Sequence, residues 1–264
     1  MITVYVCSVS LVLKPIGKKR VFSGFISRSL FSRALSSVYP ELFDEVHERR
    51  KPSTIYVSPM KDEASGRIIE HVKEEGVYAF DMYSISVDVA PIGKELLEAG
   101  EYLLKDYNAE ILRITGFKTN IKPMRVTEEN IVAVNFVSPT SFRMTPLRRY
   151  HKKASYFPFP RPDLFIKSII RTLKESDVEG YESITANWTP KDMRLIDFKN
   201  ARTKVYYDFR GRPYLAFKGK FFYEISKPKP YGVLLSLANI TGVGAWRASG
   251  FGRVDIRVLG DNSI

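Results

Sequence analysis

Near the N-terminus the apolar residues change period once, and that change constrains the fold more than any other feature of the chain. Ile2, Val4 and Val6 alternate within residues 2–13, as the buried face of a strand does. From residue 22 the interval becomes four, through Phe22, Ile26, Leu30, Ala34 and Val38, which is the stripe of an amphipathic helix. Tyr39-Pro40 ends it, because a residue before proline is pushed out of helical backbone. A short helical turn at 41–48 carries His47, and the β-branched run 53–58 reads as a strand closed by Pro59. Next come a strand at 77–89 and a helix from Pro91 to about Lys105 with Leu96, Leu97, Leu103 and Leu104. Strands at 109–117 and 121–126 complete the half. The order β-α-β, β-α-β is that of a ferredoxin-like fold.

The second half repeats the theme. A strand at 131–137 leads into a basic, proline-rich stretch, 139–162, and a helix at 163–175. Residues 202–209 and 214–225 read as a hairpin across Arg210-Gly211-Arg212-Pro213, whose glycine and proline suit a turn. A helix at 231–240 and a strand at 253–259 close the chain. The expected architecture is α+β, two tandem ferredoxin-like (RRM-like) domains over residues 1–126 and 127–264.

Hydrophobic residues make up 44% of the 264, enough for a sizeable core. Lysine and arginine number 41 against 29 aspartates and glutamates, a net charge of +12. That balance favours an anionic partner, nucleic acid or an acidic membrane surface. The single cysteine, Cys7, lies in an apolar run and reads as a small core residue. No stretch approaches the roughly 20 apolar residues of a membrane span, so a cytoplasmic protein without a membrane partner is expected. No tight cluster of Asp, Glu and His has metal-ligand spacing.

Residues 242–252 read GVGAWRASGFG: glycine, apolar, glycine, five residues, glycine, apolar, glycine. Glycines permit positive φ and close backbone approach. Two readings stand. Gly242, Gly244, Gly250 and Gly252 pack a helix tightly on a sheet, or they shape a nest of N–H groups for phosphate oxygens. In the second reading Trp246 stacks on a base and Arg247 pairs with a phosphate. The segment lacks the Gly-Lys-Ser/Thr end of a Walker loop. It precedes a strand, which also excludes the dinucleotide fingerprint.

This segment resembles the glycine-rich loop of the CRISPR-associated RAMP superfamily, which sits on tandem ferredoxin-like domains. Within that superfamily the repeat-processing endoribonucleases are most similar. VHERRKPSTIYVSPM (46–60) is similar to their histidine-bearing loop and Ser-Pro strand. NFVSPTSFR (135–143) and YFPFPRPDLF (156–165) are similar to the start of their second domain. FKGKFFYEI (217–225) and LANITGVGAWRASGFGRV (237–254) are similar to their closing hairpin, helix and loop.

The resemblance implies binding of CRISPR repeat RNA, release of guide RNA, and cleavage without metal or cofactor. A ribose 2′-OH attacks its own 3′-phosphate, leaving a 2′,3′-cyclic phosphate and a 5′-OH. Such a reaction needs a base, an acid and cations around the developing charge. His47 stands where the family places its general acid/base. Lys51, beside Arg49 and Arg50, would stabilise phosphate charge. Family members with a tyrosine on the first helix have Phe31-Ser32 as their counterpart here, so Ser32 would supply the hydroxyl. Where members lack the histidine, lysines and arginines act, and Lys18, Lys19, Arg20 and Arg28 are then the candidates. His71 and His151 are weaker candidates. Arg143, Arg148, Arg149, Lys152 and Lys153, interleaved with Tyr150 and Tyr156, suit backbone contacts and base stacking. The alternative is a non-catalytic RAMP subunit holding guide RNA in a CRISPR effector complex. Either a monomer or a homodimer is compatible. An unrelated ferredoxin-like RNA-binding module would show an aromatic pair on a central strand, and none is evident in the sequence.

Overall fold

The computed structural model describes the chain except residues 1, 18–19, 48–53, 127–130, 145–154, 187, 228–230 and 260–264, and the side chains of 45–47, 155 and 190. It divides into two compact units. One is Met1–Asn120 with Tyr206–Pro213 and Ala248–Gly250. The other is Ile121–Val205 with Tyr214–Arg247 and Phe251–Ile264.

The first unit runs β1 (Thr3–Pro15), α1 (Ser23–Val38), α2 (Pro40–His47), β2 (Ile55–Val57), β3 (Lys61–Asp62), β4 (Gly76–Ser84), α3 (Ala90–Ala99), β5 (Glu101–Leu104) and β6 (Tyr107–Asn120). Its sheet has the order β2-β4-β1-β6-β5, with β3 paired to β4. Alternation sends Cys7, Val9, Leu11 and Leu13 of β1 inward, where they meet Ile26, Leu30 and Ala34 of α1 and Ile92 and Leu96 of α3. Cys7 is fully buried, and burial pushes its thiol up to about 11, so it acts as a small apolar residue.

Two expectations for this unit need correction. The helix expected to reach Lys105 stops at Ala99. Gly100 turns left-handed (φ 71°) and its N–H caps Leu96 O, so Glu101–Leu104 becomes a strand on β6. Leu103 and Leu104 then point to opposite sides, one exposed and one buried, where a helix would have placed both on one flank. Residues 121–126, expected as a strand of this half, belong to the second unit and have no regular structure.

The second unit runs β7 (Ile131–Thr140), β8 (Phe142–Met144), β9 (Ser155–Phe157), α4 (Pro162–Glu175), α5 (Tyr181–Thr185), β10 (Met193–Tyr207), β11 (Pro213–Ile225), α6 (Tyr231–Thr241) and β12 (Val254–Leu259). Its main sheet has the order β10-β11-β7-β12. With α4 and α6 as the two crossovers, this is the β-α-β-β-α-β ferredoxin-like order. Phe136 is central to its core, with ring centroids of Phe142, Phe165, Phe217 and Phe221 within 6.5 Å. Among the described residues of the basic stretch after β7, β8 pairs antiparallel with β9. Strand β10 begins at Met193, earlier than the expected 202. Asn200 (φ 54°) interrupts its alternation opposite Gly219 (φ 146°), and a period-2 search fails across such a bulge.

The outward face of the first sheet holds a buried carboxylate. Asp81 on β4 accepts from Ser8 Oγ (2.6 Å), Lys61 Nζ (2.5 Å) and Tyr83 OH (2.5 Å). Burial alone would raise its carboxyl. The Lys61 ammonium and the three donors outweigh that and hold it below the ordinary value. A depressed folded value means stability that is present above the unfolded value, near pH 4, and lost as pH falls through the lower folded one. Urea unfolding between pH 6 and pH 2.5 should show that loss in the wild type. Asp81→Asn should be less stable at pH 6 and show a shallower acid limb; an unchanged limb would remove Asp81 from the account.

Candidate nucleic-acid interface

The glycine-rich segment is built by contacts between backbones. Gly242, Gly244, Gly250 and Gly252 all have left-handed φ, between 73° and 82°. A Cβ at Gly252 would fall 1.9 Å from Val243 O, one at Gly242 2.7 Å from Gly252 O, and one at Gly244 2.5 Å from Ser141 O. Only glycine fits such positions. Within the second unit, the N–H of Val243 donates to Gly252 O, that of Ala245 to Ser141 O, and that of Gly252 to Pro139 O, all at 2.7–2.8 Å. These donors tie the connection between α6 and β12 to the end of β7.

Trp246 sits mid-segment at φ 59°, a strained value for a residue with a side chain. Its ring packs 4.2 Å from Tyr156, 4.9 Å from Tyr214 and 5.5 Å from Phe251, centroid to centroid. One indole face is therefore taken by Tyr156, and Tyr156, 41% exposed, is the outermost ring of the cluster. Arg143 is exposed and lies opposite Tyr156 in the β8–β9 ladder. Arg247, read from sequence as a phosphate partner, is only 7% exposed, and its Nη1 donates to Thr172 Oγ1 of α4 at 2.5 Å. In this structure it serves the framework of the second unit.

In the first unit, Ala248–Gly250 lies on the first turn of α1. Cβ atoms added at Gly24 and Gly250 would meet backbone of the other segment, 2.2 Å from Ser249 O and 2.6 Å from Gly24 Cα. Arg28, one turn along α1, is exposed and donates from Nη1 to Ser249 Oγ at 2.9 Å. Ser32, four residues on and so on the same flank, is half-buried. Helix α2 follows directly, its Leu42 and Phe43 packed on the core, and ends at His47. The side chain of His47 lies outside the described residues, as do Lys18, Lys19, Lys51, Arg148 and Arg149. Arg20 is described and exposed. His71 is half-buried with Nδ1 2.9 Å from Val21 O, which is a structural contact. Among the described residues no group of three or more His, Cys, Asp or Glu is gathered as metal ligands would be. No helix among them is long and apolar enough to cross a membrane.

Residues 134–254, from within β7 to the start of β12, match the family model of the CRISPR-associated endoribonuclease Cas6. No curated protein matches the chain in sequence. Solved structures match over nearly its whole length. A Cas6 product complex aligns with TM-score 0.72 at 19% identity, over 97% of this chain and 100% of that one. A Thermus thermophilus Cas6 aligns with TM-score 0.60 at 18% identity, over 98% and 99%. A Cas6-related protein from Pyrococcus furiosus aligns with TM-score 0.56 at 15% identity, over 98% and 100%. These likenesses establish the tandem ferredoxin-like fold.

The glycines make a paired stability test. Gly211 is also left-handed (φ 77°) but has open space where a Cβ would go. Gly211→Ala should cost about 1–2 kcal/mol, the backbone strain alone. Gly252→Ala should cost about 3 kcal/mol or more, because a carbonyl must also move. Urea unfolding compares the two, and equal losses would mean that the loop yields freely.

Proposed function

We propose that this chain, a Cas6-type protein of the RAMP superfamily, is an endoribonuclease that binds CRISPR repeat RNA and cuts it to release guide RNAs. The observation that carries the reading is the family match over residues 134–254, which takes in the whole glycine-rich segment and the framework that holds it. Matched structures described as product and substrate-mimic complexes of Cas6 support it. The net charge of +12 suits an RNA partner.

The reaction is an internal transesterification. A base takes the proton of the 2′-OH, and the 2′-oxygen bonds to the adjacent phosphorus. The bond from phosphorus to the 5′-oxygen breaks, and an acid protonates that oxygen. The products are a 2′,3′-cyclic phosphate and a 5′-OH. His47 is the proposed acid/base, since an imidazole titrates near neutral pH and can serve on either side of the reaction. Lys51 would stabilise charge on the scissile phosphate, with Ser32 on α1 as a hydroxyl donor. Arg28 and Arg20, with Lys18 and Lys19, would contact the RNA backbone near α1. Arg143 on β8 would do so as well, and Arg148 and Arg149 are proposed for the same role. The glycine-rich segment, Gly242 to Gly252, would hold Trp246 and the rings around it at the surface that grips the repeat, with Arg247 bracing the segment on Thr172.

Labelled repeat RNA incubated with the protein in EDTA should give a product ending in a 2′,3′-cyclic phosphate. His47→Ala should slow cleavage by about 10²–10⁴-fold while leaving repeat binding within a few fold. Tight binding with no cleavage by the wild type would overturn the enzymatic reading in favour of a non-catalytic RAMP subunit. Undiminished cleavage by the variant would move the chemistry to the lysines and arginines.

A further inference from the structure

The open face of the second unit's sheet carries an arrangement that none of the residues above accounts for. Phe221, Tyr223 and Ile225 of β11 point inward and are fully buried. Pleating sends Lys220, Phe222 and Glu224 to the other side, where Lys220 is exposed and Phe222 half-buried. β11 is an interior strand, between β10 and β7. Phe222 pairs with Ala133 on β7, and Ala133 pairs with Arg257 on β12, so a small residue stands between an aromatic ring and a guanidinium. The ammonium groups of Lys199 on β10 and Lys220 lie 5.5 Å and 5.0 Å from the centroid of the Phe222 ring.

The charges of this face are unevenly spent. Arg194 is paired with Glu224 and Arg257 with Asp255. Lys199 and Lys220 are exposed and, among the described residues, in no ion pair. Both ammonium groups lie over the Phe222 ring, and phosphates would draw these two unneutralised cations off it and leave the ring on an interior strand to stack on a base. A duplex does not suit it, because paired bases keep their faces in the helix stack.

We propose that this face is a platform for single-stranded RNA, with Phe222 as the stacking ring and Lys199 and Lys220 as phosphate contacts. It rests on the reading of the chain as RNA-binding, but on residues outside the glycine-rich segment and independent of the cleavage chemistry.

The test uses the full chain and a fluorescein-labelled ten-nucleotide oligouridylate, read by fluorescence anisotropy. Phe222→Ala should weaken binding about 5- to 100-fold, the range for losing one stacked base. Phe222→Tyr should restore most of it. The double variant Lys199→Ala, Lys220→Ala should reduce the slope of log K against log salt by about 1.4, from two phosphate contacts on a single strand. Wild-type affinity and salt slope in both variants would overturn the platform. So would equal binding of a ten-base-pair RNA duplex that Phe222→Ala also weakens. Repeat cleavage reports separately on the enzymatic reading. A protein that cleaves repeat RNA but binds the oligomer independently of Phe222 loses only the platform, and one that binds it through Phe222 without cleaving keeps the platform.

Discussion

Backbone meets backbone inside the radius of a Cβ in the connection between α6 and β12, and the second unit is organised around that approach. Val243 and Gly252 close the connection on itself, and Ala245 and Gly252 tie it to the end of β7. Strand β7 pairs with both β11 and β12, so the same donors that shape the loop also set where the sheet's central strand ends. Trp246 shows what the arrangement costs. A non-glycine residue held left-handed costs on the order of 1–3 kcal/mol. Three aromatic neighbours at about 0.5–1.5 kcal/mol each, beyond their burial, are enough to offset it.

The net positive charge is distributed by a similar division between framework and free surface. Arg247 is buried on Thr172, Arg212 donates to Asp208, and Lys61 holds Asp81 ionised within the first sheet. Exposed pairs such as Arg194 with Glu224 add little stability, about 0–1 kcal/mol. Their effect here is to cancel charge locally. What remains to attract an anion is therefore a subset of the 41 lysines and arginines, and its placement, not its number, decides where RNA would lie.

Long periodic segments were legible in the sequence because one buried face forces one period. β1, α1, α4, α6 and β12 lie close to where their apolar residues place them. Legibility failed where a single residue resets the geometry. Gly100 converts a leucine-rich helix into a strand, and Asn200 opposite Gly219 hides the first half of β10. Individual roles were less legible still. Arg247 looks like an ideal phosphate partner until its side chain is found facing α4. Phe222 looks like one more aromatic in the run FFYE until pleating separates it from Phe221 and Tyr223. Both depend on side-chain direction, which sequence spacing constrains only after the register is known.

The glycine-rich segment carried two readings, a tight packing device and a nest of N–H groups for phosphate. Its geometry bears on both. The N–H groups of Val243, Ala245 and Gly252 already donate to carbonyls of the protein, so these three cannot also serve a phosphate without breaking the loop. An RNA gripped on the second unit's part of the segment would be held mainly by side chains around that frame, among them Tyr156 and Arg143. A frame fixed before binding loses little conformational entropy when a ligand arrives. The packing reading therefore does not compete with the functional one: by spending its own donors on rigidity, the segment would offer an RNA a fixed support on which the side chains around it set affinity.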